Sequence, residues 1–145
     1  MKAREVHGGV MIGGKAEGQA LVSLKAFTYA NGVDPSTGTV TDVRSDIKGL
    51  SLKGRVLVYS YGKGSTSGAA WFLETARRGN DPLAVLTQAP EPTAVVGSIL
   101  AKVLHGKTIP VMSGFEADVT TVVKTGSIVR VDSAKRSMQI RETEK

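Results

Sequence analysis

Cysteine is absent from the chain, which excludes disulfides, a thiol nucleophile and thiolate ligation of zinc or iron–sulfur by these residues. Histidine is nearly absent as well. With only His7 and His105, no histidine metal cluster is expected, so the chain is read as binding no metal itself. Aromatics make up 5% of residues, and the lysines and arginines behind the net charge of +6 are scattered rather than clustered. That combination argues against nucleic acid and leaves solubility, an anionic substrate or an acidic partner as uses of the charge. No apolar run approaches the ~20 residues that span a bilayer, and MKAREVHGG has no apolar signal region. A cytoplasmic protein with no membrane contact is the expectation. The 145 residues fit one domain covering 1–145, long enough to bury a core, with RETEK as a frayed end.

What the chain does have is Arg55–Arg78. RVLVYS reads as a buried strand, YGKGSTSG as a tight loop and AAWFLETARR as an amphipathic helix. Ala69, Phe72, Leu73 and Ala76 fall on one helix face, Arg77 and Arg78 suit the negative end, and Gly79 suits the stop. Free backbone N–H groups at the helix start and three hydroxyls then point at one small volume, where an anion could be held or a hydroxyl polarised.

The flanks support this unit. Residues 1–50 are turn-rich and β-rich: HGGVMIGG and GQALVSLKAF are short apolar stretches, Asn31–Gly32 and Asp34–Pro35–Ser36–Thr37–Gly38 are turns, and TVTDVR resumes β alternation. LAVLTQ is a second buried strand. Pro92 can open a helix whose apolar positions include Val95, Val96, Ile99, Leu100, Val103 and Leu104, closed by Gly106. IPVM is a third strand. Strand–helix–strand–helix–strand argues a small parallel sheet with crossover helices. The tail returns to β in TTVVKTG, SIVRVDS and SMQIRE, with one wet face on SIVRVDS. The fold class is α/β: a β-rich layer from both termini packed on a small α/β unit, a β/β/α sandwich.

Three phosphate or nucleophile motifs fail on particular residues. A Walker A loop would need glycine where Leu57 stands and serine or threonine where Gly64 stands. A nucleophile elbow would need serine where Thr66 stands, and no acid–histidine pair supports one. Gly62, Gly64 and Gly68 miss the dinucleotide spacing by one residue, and Gln88 stands where a ribose-binding acid is needed. A plain glycine-rich connector with a serine N-cap also fits.

Gly62-Lys63-Gly64-Ser65-Thr66-Ser67 resembles the Gly-x-Gly-Ser-Ser-Arg loop in the swivelling domain of aconitase-type hydro-lyases. The wider chain resembles the small subunit, or swivel domain, of the aconitase X family. KAEGQALVSLKAFTYANGVDPSTGTV, GLSLKGRVLVYSYGKGSTSGAAWFLETARRGNDPLAVL, EPTAVVGSILA and IPVM carry the likeness, across roughly residues 8–113. The resemblance implies a swivelling β/β/α fold and a larger partner subunit holding an iron–sulfur cluster and most substrate contacts. It also implies dehydration of a small anionic hydroxy acid. Reactions known in the family act on mevalonate 5-phosphate, in isoprenoid synthesis, and on cis-3-hydroxy-L-proline; the former is the leading expectation.

On the same resemblance Ser65 is the base that removes the substrate proton. Gly62, Lys63, Gly64, Thr66, Ser67 and Gly68 complete the loop around the substrate. Ser67 replaces the family arginine, and serine cannot grip a carboxylate bidentately. Thr66 and Ser67 could donate to a substrate oxygen or cap the helix. Asp34 and Thr37 could face the site or form an Asx turn; Trp71 lies off the core face and could meet the partner. Two other classes stay open: a non-catalytic anion-binding or scaffold module, and a stand-alone hydrolase, which lacks a general base.

Overall fold

The computed structural model describes residues 3–63 and 67–142. Four parallel strands form its centre: β3 (Lys15–Ser23), β4 (Val56–Tyr59), β5 (Ala84–Thr87) and β6 (Val111–Ser113). α1 (Gly68–Arg77) links β4 to β5, and α2 (Pro92–His105) links β5 to β6. β2 (Gly9–Ile12) adds an antiparallel edge on β6. At the other side, β3 changes partner along its length. Ala20–Ser23 pair in parallel with β4, whereas Lys15–Gln19 pair antiparallel with β7 (Ile128–Asp132). β8 (Ser137–Arg141) and β1 (Ala3–His7) extend that second sheet outward.

Side-chain alternation along the strands builds two cores. Val56 and Val58 of β4, Ala84 and Leu86 of β5 and Met112 of β6 face Val129, Val131, Met138 and Ile140 of the antiparallel sheet. Leu57, Tyr59, Val85 and Val111 face Phe72 and Ala76 of α1 and Ala94 and Ala101 of α2. A strand covered on both faces reads as a continuous apolar run, which is why VLVY shows no alternation in sequence. The expected β/β/α arrangement is therefore present, with the parallel sheet as its middle layer. β7 alternates buried and wetter positions, as SIVRVDS suggested.

Four expectations change. TVTDVR is not a strand beyond isolated bridges at Thr39 and Val40, because Asp42 turns the chain: its carboxylate accepts from Arg44 N–H at 3.0 Å. TTVVKTG begins instead as a one-turn helix, α3 (Val119–Val122), capped by Asp118, which accepts from Thr120 N–H at 3.0 Å. β1 adds a strand at the start of the β-rich first 50 residues, where AREVH shows no apolar stretch because Val6 is its one buried side chain.

The fourth concerns α2, which turns its large aliphatic residues outward. Ala94, Gly97, Ser98 and Ala101 are buried, whereas Val96, Ile99, Val103 and Leu104 are exposed by 46–74%. Close packing on α1 is the cause, since a Cβ at Gly97 would lie 2.6 Å from the Phe72 ring. The end RETEK falls partly outside the described residues. No helix among the described residues is long and apolar enough to cross a membrane.

Candidate active site

The described start of the loop between β4 and α1 rests on an aromatic cluster, through a bridge between Phe27 and Gly62. Of the chain's one Trp, three Tyr and three Phe, four rings meet in this cluster: Phe27 stacks on Tyr59 at 5.0 Å, and Tyr29 meets Phe27 and Phe72 edge-on at 5.2 and 5.1 Å. The scarce aromatics are thus concentrated at the end of β4, where the chain enters the loop. Phe27 also holds the incoming chain by its backbone, accepting from Lys63 N–H at 2.8 Å and donating to Tyr61 C=O at 3.2 Å.

Below Gly62 lies a buried carboxylate. Glu91, 5% exposed, accepts from the Tyr59 hydroxyl at 2.7 Å and from Thr93 N–H at 3.2 Å. The second bond is the N-cap of α2. Tyr29 Oη lies 2.8 Å from Tyr59 Oη. Because Tyr59 spends its single proton on Glu91, Tyr29 must be the donor to Tyr59, so the chain runs Tyr29 to Tyr59 to Glu91. Burial raises both phenols well above the ordinary tyrosine value and keeps them neutral.

Glycine at both ends of the loop has a steric cause. A Cβ at Gly62 would stand 2.2 Å from Glu91 Oε2, and one at Gly68 would stand 2.7 Å from Thr93 Cγ2. Both ends therefore rest against the first turn of a single helix, α2. The starts of α1 and α2 lie side by side; the Glu91 carboxylate caps and offsets the positive end of α2, whereas the first turn of α1 carries no acidic residue.

Of the loop residues expected from sequence, Gly62, Lys63, Ser67 and Gly68 are described, whereas Gly64, Ser65 and Thr66 lie outside the described residues. The Lys63 ammonium pairs with Asp42 at 3.1 Å. The Arg44 N–H, with Lys63 adding to it, holds the Asp42 carboxyl below its usual range. Ser67 takes the N-cap position of α1, its carbonyl accepting from Ala70 and Trp71 N–H at 3.0 and 3.2 Å. Asp34 forms the Asx turn, accepting from Ser36 N–H at 2.9 Å and Ser36 Oγ at 2.7 Å. Trp71 is half-buried against the helix-side core. His7 and His105 are exposed.

Sequence reasoning missed Glu91 and Tyr59. Two signals were available: an acid directly before the proline that opens α2, and a hydroxyl-bearing residue closing an otherwise aliphatic strand. Gln88, considered only as a failed ribose ligand, ties two segments together by donating to Phe115 C=O at 2.8 Å and accepting from Val119 N–H at 3.0 Å. The donor set does not fit an iron–sulfur cluster: the sequence has no thiolate, and no group of three or more His, Asp or Glu capable of holding a metal occurs among the described residues.

Three layers, a parallel middle sheet and a glycine-bounded polar loop at a strand–helix junction define a β/β/α domain of the swivelling kind. The family model for the aconitase X swivel domain matches residues 5–140, so the chain belongs to the aconitase X swivel-domain family. That span extends past residues 8–113 to include β7 and most of β1 and β8. The chain is 36% identical to the phosphomevalonate dehydratase small subunit of Thermococcus kodakarensis, over 95% of its length and 97% of the relative's. It is 35% identical to that of Methanocella arvoryzae, over 88% and 92% respectively. The crystal structure of Thermococcus kodakaraensis aconitase X in its holo form matches with a TM-score of 0.86 at 36% identity, covering 96% of this chain and 99% of that one.

Proposed function

We propose that this chain is the small subunit of an aconitase X type hydro-lyase that dehydrates mevalonate 5-phosphate in the cytoplasm. The observation that carries the reading is end-to-end similarity to phosphomevalonate dehydratase small subunits, with nearly the whole of both chains aligned.

In this reading the chain supplies the base and its setting. Ser65, as its alkoxide, takes a proton from the substrate carbon while the hydroxyl on the neighbouring carbon leaves with its bonding pair, forming the double bond; the proton then passes from Ser65 to the departed hydroxide, giving water and restoring the alkoxide. A serine hydroxyl is too weak an acid to do this unaided. A helix N-terminus contributes only about 0.3–1 kcal/mol when exposed. The start of α1, which carries no acidic residue in its first turn, supports an electropositive setting, and exclusion of water by a partner would strengthen it. The larger subunit completes the site and carries the iron–sulfur cluster, for which this chain has no thiolates. Carboxylate recognition falls to the partner because Ser67 stands where an arginine would grip it, while Thr66 and Ser67 donate single hydrogen bonds to substrate oxygens. The exposed aliphatic side of α2 supports a chain that works under a partner, because patches of this kind mark association surfaces.

The test is reconstitution with the large subunit followed by assay of both family substrates. Dehydration of mevalonate 5-phosphate, dependent on both chains, is the expected result. Exclusive turnover of cis-3-hydroxy-L-proline would overturn the substrate, and a chain that remains alone and inactive would favour an anion-binding module.

A further inference from the structure

We infer that Glu91 is a positioning residue for the active loop: its buried carboxylate fixes Gly62, and through the first turn of α2 it registers both ends of the loop against one support. The inference deepens the reading of this loop as catalytic, on which it rests.

A buried carboxylate is costly and persists where its hydrogen bonds are worth the desolvation. Glu91 is 5% exposed, and its two oxygens serve different elements. Oε1 accepts from Thr93 N–H in α2, and Oε2 accepts from the hydroxyl of Tyr59, the last residue of β4. A capping role alone needs neither a long acid nor the second bond, since serine, threonine or aspartate caps a helix equally well. What the longer side chain adds is reach to the strand that feeds the loop. Its Oε2 stands where a Cβ at residue 62 would go, so the carboxylate sets how closely that backbone approaches α2. Thr93, whose N–H caps on Glu91, also carries the methyl group that bounds Gly68 at the other end. Tyr29 completes the support by donating to Tyr59, which strengthens the Tyr59–Glu91 bond.

Glu91→Gln separates this role from a plain cap. The amide has nearly the same volume but one acceptor oxygen, whereas Tyr59 and Thr93 N–H both donate. In the complex with the large subunit, Glu91→Gln and Tyr59→Phe are expected to lower kcat at least about tenfold with KM within about twofold. A loss confined to kcat marks an interaction made in the transition state. The pH–rate profile should keep its shape, because Glu91 exchanges no proton with substrate. Tyr29→Phe leaves Glu91 with both donors and should have a smaller effect than Tyr59→Phe.

A second readout needs no turnover. In the full chain, Glu91→Gln should speed amide exchange at Lys63, which donates to Phe27 C=O, at least about tenfold, with Val85 in the central sheet unchanged. Unchanged kcat with only a lowered Tm would reduce Glu91 to a cap and overturn the inference. A shifted pH profile would overturn it in favour of acid–base chemistry. Should the reconstituted complex turn over neither substrate, the functional reading fails separately, and Lys63 exchange still decides the positioning role: unaltered protection there would refute it.

Discussion

Gly62→Ala isolates one contact. The backbone at residue 62 is not in the left-handed region, so alanine is conformationally allowed and should gain about 0.4–1 kcal/mol by stiffening the unfolded chain. Against that gain, the new methyl would stand 2.2 Å from Glu91 Oε2, 2.9 Å from Oε1 and 2.7 Å from the carbon between them. The carboxylate is the far end of a flexible side chain, yet it cannot retreat without releasing its partners. Losing the Tyr59 bond to a charged acceptor costs about 1.5–3 kcal/mol, and losing the α2 cap costs about 1 kcal/mol. The net expectation is a destabilisation of about 2–3 kcal/mol. At this chain length that corresponds to a fall in Tm of roughly 6–12 °C. Thermal unfolding followed by circular dichroism reads it directly. The double mutant sharpens the test: once Glu91→Ala has removed the carboxylate, adding Gly62→Ala should cost nothing further, a clear departure from additivity. A Gly62→Ala protein with unchanged Tm, or one whose penalty persists in the Glu91→Ala background, would refute the reasoning.

Alkaline titration should divide the tyrosines. The folded-state values of Tyr29 and Tyr59 are raised by burial above the ordinary 10, so the stability they contribute is full below about pH 10 and is lost as pH rises towards the folded values. Ultraviolet difference spectra should therefore show these two phenols ionising only together with unfolding; their ionisation in a chain still folded by circular dichroism would contradict the burial argument. On α2, Ile99→Glu and Val103→Glu should leave the Tm of the isolated chain within about 1–2 °C, because these exposed residues pack on nothing essential. The same variants should weaken association with the large subunit at least about tenfold by calorimetry, and unchanged affinity would remove this face from the interface.

Much of the fold was legible because its signals are local. Pro92 and Gly106 bracket α2 as read, and the unbroken VLVY run announced a strand covered on both faces. Signals that depend on packing were not legible. The aliphatic positions of α2 looked like a core face, but the close approach of Gly97 to Phe72 admits only small residues there. Val43 continued an apparent β pattern yet is 77% exposed, because the side chain of Asp42 competes for the backbone. The Asp118 cap similarly converts part of a β-branched stretch into a helical turn. Within the site, the loop stood out as a run of glycines and hydroxyls, whereas its support did not. Glu91 is 29 residues beyond Gly62 in sequence, and only the packing of α2 beside α1 brings them together.

Ser65→Ala tests most directly the proposed role of this chain as the source of the base in a two-subunit dehydratase. In the complex reconstituted with the large subunit, turnover of mevalonate 5-phosphate by the variant should fall by at least about a thousandfold, the scale on which an enzyme loses an essential base or nucleophile, while the complex still assembles at wild-type stoichiometry. Near-normal turnover in an assembled complex would contradict the claim.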